Sequence, residues 1–554
     1  MRRSKLPAYL DPDEILLDAS NLPDFDRNRL EGRIERSLSL RAIYIVSGLF
    51  ILVALIYFFK LGQLQIVNAH KYKLRSEDNN LRTIFVQNER GAIYDRYNKL
   101  LAWNEPGKGR RYITEEGFGH LLGYLGYPEQ GELSASLDPN TRVGKIGVEK
   151  YFNDTLRGNQ GLKIEEMDVA GHIVSENIYQ YPTDGQPITL AIDNKLQAVL
   201  YKYIKSVAIE RGFNGGAGVL LDIENGDVLA LTSYPEFSSN MLSGTTTDDE
   251  LRTLLSDKRT PFLNRAISGL YAPGSIIKPI IAIGALTRNI IDPNTKIIST
   301  GYIEIPNPYS KWSVSIFKDW KAHGWVDMVQ AIAVSSNVYF YEIGGGYKGQ
   351  KGLGIRAIYE FARLFGLGVE TGVDLPAEKE GIVPSPDWKE ATFEGDPWRL
   401  GDTYHTAIGQ YGFLVTPIQM ARVLSAIASD ANLITPHVLK DTKPKITALG
   451  LNGKNLAIIR EGMRLAVTEG TAKALDVEYV KFGAKTGTAE LGNTKRRVNS
   501  WIMGFFPYDK PRYAFAIVME KGLAGNIIGA ASVAKQFFDW MSVYTPEYFH
   551  YNGN

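Results

Sequence analysis

The sequence GLYAPGSIIKPI (Gly269–Ile280) places a serine three residues before a lysine, directly after a Pro-Gly pair. Pro273 and Gly274 predict a turn. If a helix begins at the serine, Ser275 and Lys278 are the i and i+3 residues on one helix face. A hydroxyl and an amine held at contact distance indicate an activated nucleophile. Because a helix can contain Ser-x-x-Lys by chance, the rest of the chain has to decide between these interpretations.

Two further polar motifs follow this stretch. AVSSNVYFYEIG contains Ser335, Ser336 and Asn337, and FGAKTGTAE contains Lys-Thr-Gly-Thr, which begins at Lys485. The structural alternative for the first motif is a helix N-cap or a turn, where Ser and Asn are common. For the second motif it is an edge strand that ends in a glycine turn. Each motif alone favours its structural alternative, but their occurrence in this order behind Ser275 favours a shared catalytic site.

Length and composition narrow the range of functions. The chain has 554 residues, which predicts about two or three domains. Its 62 Lys and Arg residues are balanced by 61 Asp and Glu residues, so its charge gives no indication of nucleic-acid binding. It has no cysteine, which excludes disulfides, thiolate zinc sites and cysteine nucleophiles and is compatible with an oxidising compartment. His-Glu-x-x-His, Walker A and Gly-x-Ser-x-Gly motifs are absent from the sequence.

An uncharged apolar run, Ala42–Phe59 (AIYIVSGLFILVALIYFF), is close to the shortest length that spans a membrane. A buried core helix is the alternative, but the run is bounded by Arg41 and Lys60. Tyr44 and Tyr57 lie near its ends, where tyrosine favours the membrane interface. The run also begins too far into the chain for a conventional cleaved signal peptide. We therefore expect residues 42–59 to form a transmembrane helix that stays uncleaved.

The orientation of this helix follows from the charges beside it. The positive residues nearest the apolar run favour a cytoplasmic N-terminus. Residues 1–41, which are polar and of mixed charge, are then a cytoplasmic tail. The bulk of the protein is expected on the outer side of the membrane.

The remaining sequence divides at about residue 190. Residues 60–190 alternate short β-type runs with turns and predict a small β-rich module, in which residues 107–111 (GKGRR) are interpreted as a basic loop. Residues 191–554 begin with a helical pattern and continue through two apolar runs joined by Asn225-Gly226, a strong hairpin signal. They finish with two more strand-like runs and a helix. This order predicts an α+β domain with helices flanking an antiparallel sheet.

Ser-x-x-Lys, Ser-x-Asn and Lys-Thr-Gly in this order resemble the signature of penicillin-binding proteins and serine β-lactamases. Three other segments extend the resemblance: RGAIYDRYNKLLAWN (Arg90–Asn104), GKIGVEKYFNDTLRGNQG (Gly144–Gly161) and WRLGDTYHTAIGQYGFLVTPIQMA (Trp398–Ala421). With PFLNRAISGLYAPGS, they resemble class B penicillin-binding proteins, in particular the elongation-type penicillin-binding protein 2. The resemblance implies a serine β-lactamase-like transpeptidase domain for residues 191–554 and a pedestal domain for residues 60–190.

The resemblance also implies a reaction and a location. The reaction is D,D-transpeptidation, which crosslinks peptidoglycan stem peptides through a serine acyl-enzyme during cell-wall elongation. β-Lactams would enter the same site and remain as stable adducts, and no cofactor is expected. The protein would be anchored in a bacterial inner membrane with its catalytic domain on the periplasmic side.

By the same resemblance, Ser275 is the nucleophile and Lys278 is its neutral base, which requires burial and nearby positive charge. Lys485 would supply that charge and attract the anionic end of the substrate, while Ser335 would bridge the two lysines and pass a proton to the leaving amine. Asn337 would orient the substrate peptide. The backbone N–H groups of the nucleophile and of Thr488 would form the oxyanion hole. The residues implied in substrate binding by the third motif are Thr486, Gly487 and Thr488.

One departure from the family pattern concerns partners. Family members carry a sizeable head subdomain where this chain has only a short stretch, Glu105 to about Gly119, so the head is expected to be largely missing. This counts against contacts made through the head, such as those with an MreC-like scaffold. A RodA-like SEDS glycan polymerase remains an expected partner, because the anchor part of the pedestal is retained.

A second departure concerns a zinc site that some proteobacterial members carry between Ser-x-x-Lys and Ser-x-Asn. Asp319 and His323 resemble part of it, but Ser336 stands in the place of the cysteine and His323 is out of step. Two such residues are more often a satisfied loop pair than a metal site. We therefore predict no metal.

Four alternatives stay open at the level of sequence. A membrane-anchored D,D-carboxypeptidase or β-lactamase would carry the same three motifs, although it would not need a pedestal. A septal (division) transpeptidase also remains possible, because the assignment to elongation rests only on the resemblance of loops. A non-catalytic β-lactam-binding scaffold is disfavoured because all three motifs are intact, and a class A enzyme because no glycosyltransferase domain fits before Ser275.

Overall fold

A computed structural model describes residues 40–73, 81–132, 138–167, 172–244, 246–306, 312–492 and 494–550. The chain divides into two compact units, the first of residues 1–84 and 164–177 and the second of residues 85–163 and 178–554. The predicted cytoplasmic tail, residues 1–41, lies outside the described residues except for Leu40 and Arg41, which belong to a helix.

The first unit contains the helix predicted from the apolar run. Helix α1 (Leu40–Gly62) starts two residues before the predicted span and continues past Lys60 into a short π-helical segment, Gln63–Val67. Among the described residues it is the one helix long and apolar enough to cross a membrane, and none of its side chains is buried by protein. An unburied apolar surface of this length is what a lipid-facing helix presents.

The module before the catalytic domain is rich in short strands, as expected. A three-stranded sheet has the order β1-β7-β8 and a four-stranded sheet the order β4-β3-β2-β9. The strands of this part are β1 (Leu81–Val86), β2 (Ile93–Tyr94), β3 (Leu100–Glu105), β4 (Gly109–Tyr112), β5 (Leu125–Gly126), β6 (Val143–Gly144), β7 (Gly161–Met167), β8 (Ile173–Gln180) and β9 (Ile188–Thr189). Its helices are α2 (Gly119–Leu122), α3 (Gly147–Tyr151) and α4 (Asn153–Arg157).

The predicted basic loop at residues 107–111 is wrong from Gly109 onward, where β4 begins. Arg110 and Arg111 lie in β4, and the Arg110 side chain is buried. Its Nε lies 2.8 Å from Oε1 of the buried Glu149, whose Oε2 lies 2.7 Å from Nε of Arg90. One arginine of the predicted loop is therefore part of a buried ion cluster that joins β4 to α3.

The catalytic domain is built on a five-stranded antiparallel sheet with the order β11-β10-β20-β19-β18. Its first hairpin turns at Asn225-Gly226, as predicted, and Gly226 has a positive φ of 92°. The strands of this domain are β10 (Gly215–Asp222), β11 (Val228–Tyr234), β12 (Ile297–Ser299), β13 (Tyr302–Pro306), β14 (Val314–Lys318), β15 (Gly324–Val326), β16 (Asn432–Ile434), β17 (Ile446–Ala448), β18 (Gly483–Leu491), β19 (Arg497–Phe506) and β20 (Tyr513–Leu523).

Helices cover both faces of this sheet. Trp501 and Met503 of β19 belong to one apolar cluster, and Ile502, between them, belongs to another. Because side chains alternate between the faces of a strand, this separation means that each face has its own helical layer and explains why the strands are apolar almost throughout. The helices are α5 (Asn194–Arg211), α6 (Ser239–Ser243), α7 (Asp248–Ser256), α8 (Lys278–Thr287), α9 (Met328–Ala333), α10 (Asn337–Gly345), α11 (Ile355–Leu364), α12 (Pro386–Thr392), α13 (Leu400–Ala407), α14 (Pro417–Ala428), α15 (Gly453–Thr468) and α16 (Ala530–Tyr544).

Candidate active site

The nucleophile candidate lies on a tight turn at the start of α8. Residues Gly274–Ile277 form a 3₁₀ turn that leads directly into α8 at Lys278, rather than an α-helix that starts at the serine. A 3₁₀ helix has about three residues per turn, so Ser275 and Lys278 still lie on the same side. Lys278 is completely buried and Ser275 is half-buried. Ser275 and Lys278 are therefore one 3₁₀ turn apart, and the α-helix that the spacing assumed starts at Lys278 instead.

This turn is held by the strands and by the Gly-Gln-Tyr-Gly segment. The Gly274 N–H donates to the carbonyl of Gly409 at 2.9 Å, and Trp501 of β19 donates its indole N–H to the carbonyl of Ala272 at 3.0 Å. Gly274 has a positive φ of 55°, and a Cβ on Gly409 would lie 2.2 Å from the Gly274 carbonyl oxygen. Both glycines are therefore required by the backbone geometry around the serine.

The Ser-x-Asn motif meets Lys278 from the opposite side. The Lys278 ammonium nitrogen lies 2.7 Å from the Ser335 carbonyl oxygen and 2.8 Å from Asn337 Oδ1. The Ser335 hydroxyl lies 3.3 Å from that nitrogen and 2.9 Å from Nζ of Lys485. The structure thus brings four of the predicted residues into contact, with one hydroxyl between two lysines.

The Ser-x-Asn motif also contains a helix N-cap, which was the structural alternative to a catalytic role. Ser336 is the N-cap of α10 and accepts a hydrogen bond from the Tyr339 N–H at 3.3 Å. Ser335, just before it, has a positive φ of 60°. This left-handed conformation costs a non-glycine residue roughly 1–2 kcal/mol. The capping serine therefore fixes the helix start, while the strained serine beside it carries the bridging hydroxyl.

The Lys-Thr-Gly motif lies on β18, the edge strand of the sheet. Lys485 is buried, Thr486 is half-buried and Thr488 is exposed, which follows the alternation of a strand. A Cβ on Gly487 would lie 2.8 Å from the carbonyl oxygen of Pro273. A glycine here lets β18 approach the turn that carries Ser275.

Burial dominates the electrostatics of the two lysines. Burial lowers the pKa of Lys278 to about 7, and the negative charge of Asp319 acts in the opposite direction. Burial and then the charge of Lys278 hold the pKa of Lys485 well below its usual range. Of the two causes expected for Lys278, burial and nearby positive charge, burial accounts for the lowering.

Thr471 is a site residue that the sequence reasoning missed. The Thr486 hydroxyl donates to the Thr471 hydroxyl at 2.6 Å, and the Thr471 N–H donates to the carbonyl of Ala333 at 3.2 Å. The turn after α15 therefore joins the Ser-x-Asn segment to β18. Its only signal in the sequence is an ordinary Gly-Thr pair, which is common in turns.

Asp319 and His323 do not form a zinc site with their neighbours. The His323 Nε2 lies 3.7 Å from Asp319 Oδ1, while Asp319 Oδ2 accepts hydrogen bonds from the hydroxyls of Ser336 at 2.9 Å and Ser299 at 3.1 Å. Zinc requires four donors such as thiolate, imidazole or carboxylate, and two of the nearby positions hold hydroxyls already bonded to the aspartate. Within the part of the chain that the structure describes, no group of three or more His, Cys, Asp or Glu side chains could hold a metal.

The arrangement has the parts that acyl transfer requires. Ser275 lies one 3₁₀ turn from a buried lysine whose pKa permits a neutral amine at physiological pH. An edge strand with alternate backbone groups unpaired can bind an extended peptide alongside the nucleophile.

Comparisons with known proteins identify the family of the chain. Residues 216–539 match the penicillin binding protein transpeptidase domain, and residues 105–190 match the penicillin-binding protein dimerisation domain. The chain is 33% identical over 462 residues to the peptidoglycan D,D-transpeptidase MrdA of Acinetobacter baumannii, an alignment that covers 78% of this chain and 66% of that relative.

Solved structures show the same fold. The penicillin-binding protein 2 chain from its Helicobacter pylori complex with MreC superposes with a TM-score of 0.72 at 28% identity, covering 83% of this chain and 98% of that chain. A chain of a peptidoglycan synthase complex that coordinates polymerization and crosslinking superposes with a TM-score of 0.69 at 26% identity, covering 90% of this chain and 97% of that one. The predicted α+β transpeptidase fold with a pedestal domain is confirmed. The chain belongs to the penicillin-binding protein family, and within it to the elongation-type class B members represented by penicillin-binding protein 2.

Proposed function

We propose that this protein, a peptidoglycan D,D-transpeptidase of the elongation type, forms its crosslinks through an acyl-enzyme on Ser275. The observation that carries the proposal is the Ser335 hydroxyl, placed 2.9 Å from Lys485 Nζ and 3.3 Å from Lys278 Nζ, beside the turn that holds Ser275. This chain of groups can take a proton from the nucleophile and deliver it to a leaving amine.

In the first half-reaction, the Ser275 oxygen bonds to the carbonyl carbon of the penultimate D-alanine of a stem peptide. Its proton passes to neutral Lys278, and the carbonyl oxygen becomes an oxyanion that the N–H groups of Ser275 and Thr488 stabilise. When the tetrahedral intermediate collapses, the peptide C–N bond breaks and the amine of the terminal D-alanine takes a proton from Ser335. The lysines restore the Ser335 proton, so the products are an ester on Ser275 and free D-alanine.

In the second half-reaction, an amine of a neighbouring stem peptide attacks the ester carbonyl. The amine loses a proton to the same lysine–serine relay, and the Ser275 oxygen leaves and recovers a proton. The new amide is the crosslink, and the enzyme returns to its starting protonation state without a cofactor.

The substrate is oriented along β18 in this proposal. The terminal carboxylate accepts from the hydroxyls of Thr488 and Thr486, the latter after its hydrogen bond with Thr471 reverses so that Thr471 donates to Thr486. The charge of the carboxylate favours the protonated form of Lys485, whose pKa is low when no anion is present. Asn337 donates from its amide nitrogen to the substrate backbone, because its amide oxygen already accepts from Lys278. A β-lactam, which carries a carboxylate and a strained amide, fits the same contacts.

The protein is membrane-anchored through α1, and we propose that the catalytic domain faces the periplasm. Its proposed partners are a RodA-like SEDS glycan polymerase and an MreC-like scaffold. The likeness to the Helicobacter pylori chain solved with MreC covers 98% of that chain, which supports a scaffold partner despite the short stretch between Asn104 and Gly119. The shortened head itself remains a prediction.

Covalent labelling with a fluorescent penicillin tests the proposal. Full-length protein in detergent is expected to be labelled, and Ser275→Ala, with the same unfolding temperature, is expected to lose the label. An adduct that persists for many minutes supports a transpeptidase, whereas rapid release of opened drug indicates a β-lactamase. Labelled protein that forms no crosslink with its polymerase and lipid-linked substrate would instead be a binding scaffold.

A further inference from the structure

The turn that carries Ser335 and Asn337 needs support from outside its own motif. Ser335 has a positive φ of 60°, which a serine does not adopt without compensation. Its carbonyl and its hydroxyl both contact Lys278, and the hydroxyl also contacts Lys485. A relaxation of this residue toward ordinary φ would separate these groups, so whatever fixes the turn also fixes the proton relay.

Asp319 supplies that support from a different segment. It follows β14, and its side chain is completely buried. Its Oδ2 accepts hydrogen bonds from the Ser336 hydroxyl at 2.9 Å and from the Val338 N–H at 3.0 Å, the residues on either side of Asn337. The carboxylate therefore hydrogen-bonds to the motif at its central residue and at the first turn of α10. A negative charge at this helix N-terminus also interacts favourably with the helix dipole.

The carboxylate is itself fixed by groups that do not touch the relay. The Ser299 hydroxyl, at the end of β12, donates to Asp319 Oδ2 at 3.1 Å. The N–H of Trp320 donates to Oδ1 at 2.9 Å, and the backbone N–H of Asp319 donates to the carbonyl of Gly301 at 2.8 Å. Both oxygens are thus committed to hydrogen bonds within the protein, and Ser299 is a contact that can be removed without altering the motif.

We propose that Asp319 is a positioning residue for the acyl transfer: its buried carboxylate holds the strained Ser335–Asn337 turn in the conformation in which this turn contacts both lysines. This inference rests on the proposed function. It also gives Asp319, which resembles part of a zinc site in sequence, a role that needs no metal, because hydroxyl and amide donors occupy its carboxylate.

The carboxylate has an electrostatic effect that a purely mechanical support would lack. Its negative charge raises the pKa of Lys278, against the stronger lowering by burial. The other titratable groups that face this lysine are Lys485, across Ser335, and His323, whose pKa burial lowers, so that its ring is neutral at neutral pH. Removing the Asp319 charge therefore lowers the pKa of Lys278 further, and the neutral base persists to lower pH.

The test is the second-order rate constant of acylation by a fluorescent penicillin, measured from pH 5 to 9 on full-length protein in detergent. Asp319→Asn is expected to slow acylation roughly 10–100-fold, the range for a displaced catalytic group, and to move the acid limb of the pH–rate profile below its wild-type position near pH 7. Ser299→Ala removes one donor but keeps the charge, so it is expected to slow acylation about 3–10-fold with the acid limb unmoved.

A matched control separates positioning from stability. Asp193 is also buried and caps α5, and its Oδ2 accepts a hydrogen bond from the Tyr548 hydroxyl at 2.8 Å. Within the part of the chain that the structure describes, its hydrogen bonds involve no residue of the site. Asp193→Asn is expected to lower the unfolding temperature and leave acylation within about twofold of wild type. If Asp319→Asn does not fold, Ser299→Ala decides by its rate.

Three results would overturn the inference. One is a folded Asp319→Asn protein that is acylated at the wild-type rate and whose pH–rate profile keeps its acid limb unmoved. Another is a Ser299→Ala protein that is acylated at the wild-type rate. The third is a wild-type protein that loses acylation in EDTA and recovers it with zinc, since the carboxylate would then act through a metal. An unlabelled wild type would instead contradict the proposed function, so the two failures are distinguishable.

Discussion

Gly487 is the point at which β18 touches the turn that carries the nucleophile, and its replacement by alanine gives a specific prediction. The new Cβ would lie 2.8 Å from the Pro273 carbonyl oxygen, 3.0 Å from Cγ2 of Ile276 and 3.2 Å from the Ile276 nitrogen. Ordinary contacts begin at 3.4 Å. Two of these atoms are backbone, which cannot rotate away, so β18 and the turn must separate by about 0.6 Å, the difference between 3.4 Å and 2.8 Å.

That separation moves Ser275 away from Lys485 and Thr488, because they lie on opposite sides of the contact. A displacement of about 1 Å can cost roughly 10²-fold in rate, so about 0.6 Å predicts a loss of roughly 10–20-fold in the acylation rate constant. Overpacking of this kind costs about 1–3 kcal/mol of folding stability. Gly487→Ala is therefore expected to fold, to unfold at a lower temperature and to acylate slowly.

The assay is acylation by a fluorescent penicillin at a temperature at which both proteins are folded. Gly453→Ala is the matched control, because a Cβ there meets nothing within 4 Å and Gly453 begins α15 without a positive φ. It is expected to keep the wild-type rate and to gain stability slightly. A folded Gly487→Ala that acylates at the wild-type rate would refute the argument that this contact sets the distance between nucleophile and strand.

The remaining predictions concern the base, the threonine that supports Thr486, and the pedestal. Lys278→Met should slow acylation by about 10²–10⁴-fold. The wild-type acylation rate should fall tenfold per pH unit below about pH 7, because only neutral Lys278 accepts the proton. A flat pH–rate profile between pH 5 and 8 would exclude Lys278 as the base. Thr471→Val removes the hydroxyl that accepts from Thr486 and should lower the second-order rate constant of acylation about 3–10-fold. The loss is expected in the affinity for the penicillin and not in the maximal acylation rate. An equal loss in the maximal rate would argue for a different role of Thr471. Glu149→Gln leaves two buried guanidinium groups without their carboxylate and should lower the free energy of unfolding, measured by urea denaturation, by about 3–5 kcal/mol. Glu105→Gln, in an exposed ion pair, should change this free energy little. Equal effects of the two substitutions would show that burial does not matter here.

Local signals predicted the elements that depend on neighbouring residues. The Asn225-Gly226 pair predicted the β10–β11 hairpin because a tight turn requires residues that tolerate positive φ. The uncharged run predicted α1 because apolar length is sufficient to identify such a helix. The three motifs contain the four residues that the structure brings into contact, which are Lys278, Ser335, Asn337 and Lys485.

Contacts between distant segments were not predictable in the same way. The sequence predicts Arg110 as part of a basic loop because its partner, Glu149, is 39 residues further along the chain. Asp319 is predicted from sequence only as one of a satisfied loop pair with His323, since its bonds to Ser336 and Val338 depend on how β14 packs against α10. The positive φ of Ser335 likewise has no signature in sequence, because tertiary contacts impose it.

The central claim is that Ser275 becomes the acylated residue, with Lys278 as its neutral base. Peptide mapping by mass spectrometry after reaction with a penicillin tests it most directly, using the full-length protein at pH 6 and pH 8. The account predicts one drug-modified peptide, with the adduct on Ser275, that accumulates faster at pH 8. An adduct on any other residue, or modification of Ser275 at the same rate at both pH values, would contradict it.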